Sequence, residues 1–474
     1  NDVSGNSTRS YVLGQLNKVN NTDGNIISGE QNDLKNSKNG ILIGFKNKEY
    51  YSEKNAIFGD NHDISNNNNS IVSGQFNELK DSSNSSVFGS NNILNINTTN
   101  SLIAGKSNTS GSNKNSIMFG ESNISSNNEN IILTGKDNTT VTNNKNSILN
   151  GLSNNTQTNN QSLISGNLLT VTNNNNVLVS GLSNNVSNSS QSLVSGLLNV
   201  ENTGNNNAIF GREQSILNSV NILLDGSKNT VSNTHNSIIS GKTNNVVTTQ
   251  ESIVSGVSNS TKSTKGSIVS GLNNDVSNNV TNTLVMGKGN KVYNTNHAMT
   301  DNVSSIYAGN DHTIKETLTS LSSGQNHTIT SSTNGVTVGN SNQSSNDVNT
   351  LTMGNLNNVS QNTNTLINGK SNVVSRTHQT TVLGEGNNQI QFSTNSLING
   401  KNNKENNSNQ TFVTGEDNNS VNNNNSFIGG SNNTVNTNIN SITYGSLNTN
   451  VNNSTSITLG SSNDIRNVSN ISVV

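Results

Sequence analysis

A glycine returns at nearly constant spacing along the whole chain: Gly14, Gly29, Gly44, Gly59, Gly74 and Gly89 open a series that runs on to Gly460. The series has 30 members; 24 of its 29 intervals are 15 residues, four are 16 and one is 22. Such a period marks a solenoid, in which each repeat is one coil that buries its apolar side only by stacking on the next. The 16-residue steps precede Gly105, Gly151, Gly287 and Gly400. One extra residue is what a turn absorbs without disturbing the strands beside it.

Counting from that glycine as position 0, position −3 is apolar in 28 of 30 repeats, Ser86 and Thr381 being the exceptions. Position −2 is usually Val, Ile or Leu. Position +3 is Asn in 25 of 30 repeats, among them Asn77, Asn184, Asn244 and Asn357, and position +5 is commonly aliphatic, as in Val186 and Val276. Each repeat is therefore predicted to be a short strand, a glycine turn, a second, shorter strand begun by Asn, and a polar return loop. β-Branched residues at the apolar sites, and Asn and Gly where a helix interior penalises them, argue against helix. The fold expected is all-β: a parallel β-roll solenoid of about 30 rungs, with identical positions stacked in columns about 4.8 Å apart. In the +3 column, side-chain amides donate and accept along the stack.

Composition agrees with a thin, repetitive core. Of 474 residues, 27% are hydrophobic and 3% aromatic, too few to fill a large globular interior. Proline, which would remove a ladder hydrogen bond, is absent. A formal net charge of −2 without a basic run speaks against nucleic acid as a partner. No apolar run reaches the roughly 20 residues of a spanning helix. The first residues, "NDVSGNSTRS", show neither an initiator methionine nor a signal peptide, as expected of a processed chain or a fragment. With no cysteine, neither disulfides nor thiolate metal sites are expected.

Adjacent strand residues face opposite ways, so Ile71 and Val72, or Ile238 and Ile239, cannot both enter a narrow interior. One of each pair must form an apolar stripe along the outside, larger than a lone soluble chain normally exposes. A homo-oligomer is expected, and periodicity alone does not choose between two chains and three.

The phrase "NSIVSGQFNEL" from Asn69 to Leu79, repeated as "NSIISGKTNNV" from Asn236 to Val246, resembles the head repeat of YadA-like trimeric autotransporter adhesins. The resemblance spans about Ser10 to Ile465. It implies a left-handed parallel β-roll, a homotrimer around one axis, and a coiled-coil stalk and outer-membrane anchor beyond this chain. Residues 1–474 would then be a single β-roll head, broken in register at 288–309, held at the cell surface of an outer membrane. The Asn-rich turns depart from the alanine and serine of many relatives. In this they are similar in character to fusobacterial adhesins for carcinoembryonic-antigen-related cell adhesion molecules. The implied partner is such a host cell-surface glycoprotein or extracellular matrix.

No ordered Ser/His/Asp set, phosphate loop or calcium-binding Gly-Gly-x-Gly-x-Asp repeat is present, so an enzyme is not expected, nor any cofactor or metal. His62, His312 and His327 fall in the Asn column, the last two 15 residues apart. They are read as imidazoles standing in for amides, the alternative being a metal, anion or pH-sensitive site. The segment "FKNKEYYSEKN" concentrates Lys46, Lys48, Tyr50, Tyr51 and Lys54 in one return loop. Tyrosine there suits receptor contact, or else covers a neighbouring rung. The 22-residue interval holds Tyr293, His297 and Asp301; Asp301 is read as standing where a glycine would be, leaving a shortened rung and a projecting loop that binds a partner, lets the fibre kink, or is a neutral insertion tolerated at a turn. Asn-x-Ser/Thr triplets such as those at Asn6 and Asn108 are expected from composition alone.

The expected function is a passive adhesive fibre about 140 Å long at strand spacing, binding through outward loops. An Asn-rich amyloid-like matrix fibre and a phage tail-fibre segment are the alternatives. Discrete against open-ended assembly tells the first apart, and a heptad stalk or a virion-attachment domain beyond Val474 the second. An ice-binding solenoid would need a regular Thr-x-Thr array, and here Thr is irregular.

Overall fold

The computed structural model describes residues 1–293, 305–387 and 389–474. It is a parallel β-solenoid of about 31 turns, with no helix among the described residues. Two compact units divide it, Asn1–Asn233 and Thr234–Val474, and the same rung builds each.

Within the first unit, Ile71–Gln75 is typical of the long strands, which run from −3 to +1, and Glu78–Lys80 of the short ones, from +4 to +6. Long strands pair with long strands in register, Ile71 with Ser86, Val72 with Val87 and Gly74 with Gly89. In the second unit Ile253–Val257 pairs with Ile268–Leu272 in the same way. The Asn of position +3 stands in the turn just before the short strand, one residue earlier than the sequence suggests. The predicted polar return loop is a third side of the coil, joined between rungs by single parallel bridges such as Asp23 to Lys38 to Glu53 and Thr333 to Val348.

Three corners join these sides, at +2, +7 and +10, and each takes a left-handed backbone. In one rung they are Gln31 (φ 62), Asn36 (φ 56) and Asn39 (φ 53). Asn tolerates this region better than other side-chain-bearing residues because its short amide bonds locally. Much of the Asn excess is therefore corner geometry. The glycine of position 0 meets a different constraint. A Cβ on Gly74, whose φ is +122, would stand 1.9 Å from the carbonyl oxygen of Gly89 in the next rung. No side chain fits there.

Insertions leave the long strands untouched. Gly89 still pairs with Gly105 although their rung is a residue longer, the extra residue, Ile96, lying just before the second corner at Asn97. Across the 22-residue interval Leu284–Lys288 pairs directly with Ile306–Asn310, and Lys291–Tyr293 with Thr313–Lys315. No separate rung stands between these paired strands, so the shortened rung read from the sequence is not formed there. His297 and Asp301 lie outside the described residues.

Only two interior columns are aliphatic, −2 and +5: Val72 and Leu79 in one unit, Ile239 and Val246 in the other, are fully buried. The remaining interior columns, +3, +8 and +11, are mostly Asn, Ser and Thr, with a few aliphatics such as Leu169, Ile131, Val177 and Ile222 among them. A core two side chains wide explains how so little apolar residue folds so long a chain.

Candidate functional site

The +3 column is a hydrogen-bonded ladder. Asn32 donates from Nδ2 to Asn17 Oδ1 (3.0 Å) and to the Gly44 carbonyl (2.9 Å), and its own Oδ1 accepts from the backbone N–H and Nδ2 of Asn47 (both 3.1 Å). Every polar atom of the amide is used, which is what burial demands. A second amide ladder, not anticipated from the sequence, fills position +8 through Asn113, Asn128, Asn144, Asn159 and Asn174; Asn159 Nδ2 lies 3.0 Å from Asn144 Oδ1. Among the column residues singled out from sequence, Asn184, Asn244 and Asn357 each donate to the carbonyl of the glycine one rung on, and Asn77 does so at 2.9 Å.

His312 and His327 stack in this column with ring centroids 4.9 Å apart and planes within 9°. His312 Nδ1 accepts the backbone N–H of His327 (3.3 Å), and His327 Nδ1 that of Asn342 (3.2 Å). The Nε2 atoms face the carbonyls of Ala308 (3.4 Å) and Ser323 (3.1 Å). A donor on one side and an acceptor on the other fix the neutral Nε2–H form. Burial, and the neighbouring imidazole of His327, push His312 down to about 4; burial lowers His327 and His62 as well. The rings reproduce the amide's bonding, and among the described residues no group of three His, Cys, Asp or Glu could hold a metal ion.

The charged rung around Tyr50 does not converge on one site. Lys46, Tyr51 and Lys54 occupy its three left-handed corners, with φ of 55, 52 and 58. They therefore point away from one another. Lys46 lies over the Phe45 ring (4.8 Å to the centroid), and Lys54 pairs with Glu53 (3.4 Å). Tyr50 is half-buried against its neighbours, its hydroxyl donating to Asp33 Oδ2 at 2.8 Å; burial and that carboxylate raise its pKa. Lys48 projects outward in a column of alternating sign, Lys18, Asp33, Lys48, Asp63. Tyr51 alone of the tyrosine pair is exposed, at 60%. Tyr293 is half-buried, with Lys315 over its ring at 5.3 Å.

The largest repeated surface is the outward face of the long strands, formed by positions −3 and −1. Ile71 is 45% and Ile238 44% exposed, while Val72 and Ile239 beside them are buried. Many rungs pair a large aliphatic at −3 with a small or polar residue at −1, as Ile71 with Ser73, Leu193 with Ser195 and Ile268 with Ser270, while others, such as Ile41 with Ile43, Ile117 with Phe119 and Ile442 with Tyr444, carry large residues at both. The rungs with Ala or Ser at −3 reverse the order: Ala56 with Phe58, Ser86 with Phe88, Ala208 with Phe210. Thr381 is followed at −1 by Leu383, and Phe427 by Gly429, over which the Tyr444 ring lies. No rung is small at both positions, so every rung adds apolar bulk to this face, more than a lone chain normally exposes. The pattern is visible in the sequence once −1 is known to share the −3 face.

No protein-family model matches the chain, and no curated protein matches it significantly.

Proposed function

We propose that the chain is the head of a homotrimeric, YadA-like autotransporter adhesin, a left-handed roll that binds host cell-surface glycoprotein or extracellular matrix through its outward corners and does no chemistry. The observation that carries the reading is the outward face of the long strands: apolar, continued from rung to rung within each unit, and in no rung small at both −3 and −1. Three chains meeting along that face would bury what one leaves wet. The corners, rich in Asn, Ser and isolated side chains such as Tyr51, stay outside and present each epitope three times. Threefold presentation raises avidity by roughly 10² or more where receptors are clustered.

Mass in solution and binding test the reading together. A discrete particle of three 50.0 kDa chains that adheres to cells or matrix is expected. A well-dispersed single chain overturns it. The buried amide ladders also suit the alternative of an open-ended Asn-rich fibre, which would give a heterogeneous, growing mass instead.

A further inference from the structure

Three glutamates stand in the +5 column, where most rungs place an aliphatic or a small residue: Glu49, Glu201 and Glu405, all with no exposed surface. Each is set between uncharged interior neighbours. Glu49 is flanked in its column by Leu34 and Ile64, and Leu42 and Ile57 are the inward residues of the long strands of its own rung and the next. Glu201 lies between Val186 and Ile216, and Glu405 pairs with Ser420.

The space around two of these carboxyls is made by glycine. A Cβ on Gly204 would stand 2.0 Å from Glu201 Oε1, and one on Gly40 would stand 3.4 Å from Glu49 Oε2. Most other rungs carry Ser, Thr or Asn at these places. One oxygen of each of these two acids is served: Asn55 donates to Glu49 Oε1 (3.0 Å), and Asn207 (2.8 Å) and Ser192 (2.9 Å) donate to Glu201 Oε1. The other oxygen has no partner, and Glu405, beside the hydroxyls of Ser396 and Thr411, has none at either oxygen. A carboxylate there would be a buried charge with unfilled acceptors; a carboxylic acid has a place for its proton on the unserved atom.

No charge of opposite sign faces any of the three. On the strands packed around Glu49, the titratable groups Asp33, Lys35, Lys48, Tyr50 and Asp63 alternate with the inward residue and lie on the outer face, as do Lys38, Glu53 and Lys54 on the third side. Around Glu201 the charged neighbours are Arg212 and Glu213, which are exposed or half-buried and paired with each other. Around Glu405, Lys404 is exposed, and Lys401 and Glu416 pair on the surface. Burial is the one cause that raises them and outweighs the neighbouring amides and hydroxyls that lower them, taking Glu49 to about 7, Glu405 to about 8, and raising Glu201 as well.

We propose that Glu49, Glu201 and Glu405 are proton-keyed weak points of the stack: neutral in the closed coil, they lose their protons as the medium turns alkaline, and the rungs that hold them open first. These weak points are independent of the adhesin reading, since they concern the interior of one coil. Linkage sets the sign. These acids ionise more readily unfolded than folded, so their contribution to stability is complete in mild acid, below the ordinary carboxyl range, and declines as pH rises towards and through their folded values.

The test is thermal unfolding of the whole chain at pH 5.5 and pH 9, with hydrogen exchange corrected for intrinsic rate. The unaltered chain is expected to lose about 5 °C or more on going to pH 9, with faster exchange confined to the rungs of Gly44, Gly196 and Gly400. Glu49→Gln/Glu201→Gln/Glu405→Gln is expected to abolish most of that fall. An unchanged pH difference in the triple variant, or alkaline opening in other rungs, overturns the proposal. Should the triple variant not fold, exchange in the unaltered chain and Glu405→Gln alone decide it, by whether alkaline opening starts at those rungs and whether it leaves the rung of Gly400.

Discussion

Each residue of a rung is chosen by the residue one period away. At Gly74, both φ and the Gly89 carbonyl forbid a side chain. Gly74→Ala is expected to destabilise the coil by about 3 kcal/mol or more, a large effect for one methyl group, read as a drop in the urea midpoint. The imidazoles make a second case. His312 and His327 hold the ladder only while neutral, because a second ring proton would point Nδ1–H at a backbone N–H. Their folded values lie below the ordinary histidine value, so the unfolded chain takes up protons first as pH falls. Stability is then whole above about 6.5 and declines towards about 4, where His312 titrates in the folded chain. His312→Asn/His327→Asn should remove that part of the acid sensitivity, so that the double variant loses less stability than the unaltered chain between pH 7.5 and pH 5, as denaturation at the two pH values would show.

At the scale of the rung, stability comes from a two-column apolar core with polar ladders around it, and a misplaced hydroxyl within the core is costly. Thr261 occupies position +5 between Val246 and Val276, and its Oγ1 is buried without a partner. Thr261→Val keeps the shape and removes the orphaned group, so a gain of about 1 kcal/mol is expected in thermal or urea unfolding. The strand positions were legible in the sequence because −2 and +5 are written in Val, Ile and Leu, and the period fixes their register. The third side was not, because Asp23, Lys38 and Glu53 form single bridges without any apolar alternation to announce a strand. Nor were the left-handed corners, since Asn serves both as a corner residue, as at Asn36 and Asn39, and as a buried rung of the ladder, as at Asn32. Composition cannot separate those two uses. Glu49, Glu201 and Glu405 are hidden in the sequence for a related reason: three acids among 27 acidic residues signal nothing until their column is known to point inward. The "FKNKEYYSEKN" segment looked like one cluster because its residues are close in sequence, yet a rung distributes neighbours in sequence over three sides.

For the whole molecule the decisive question is whether the outward face of the long strands is covered. A rung that carries its bulk at −1 in place of −3 gives a direct way to ask. Ala56→Ile beside Phe58 would add bulk to a face that already carries a ring, and Phe58→Ser beside Ala56 would leave a gap. If sister chains pack there, the first is expected to cost about 1–3 kcal/mol by overpacking and the second about 2–4 kcal/mol by the void it leaves. Together, Ala56→Ile/Phe58→Ser rebuild the Ile71–Ser73 pair found two residues apart one rung on, and most of both losses should return. A coil working alone would feel either change by less than about 0.5 kcal/mol, since exposed positions seldom matter more, and the double variant would show no coupling. Measuring the cycle by unfolding while following mass separates the outcomes: coupling with a threefold mass places a second chain against Ala56 and Phe58, and additivity at the mass of one chain leaves the face to water and removes the ground for the trimer.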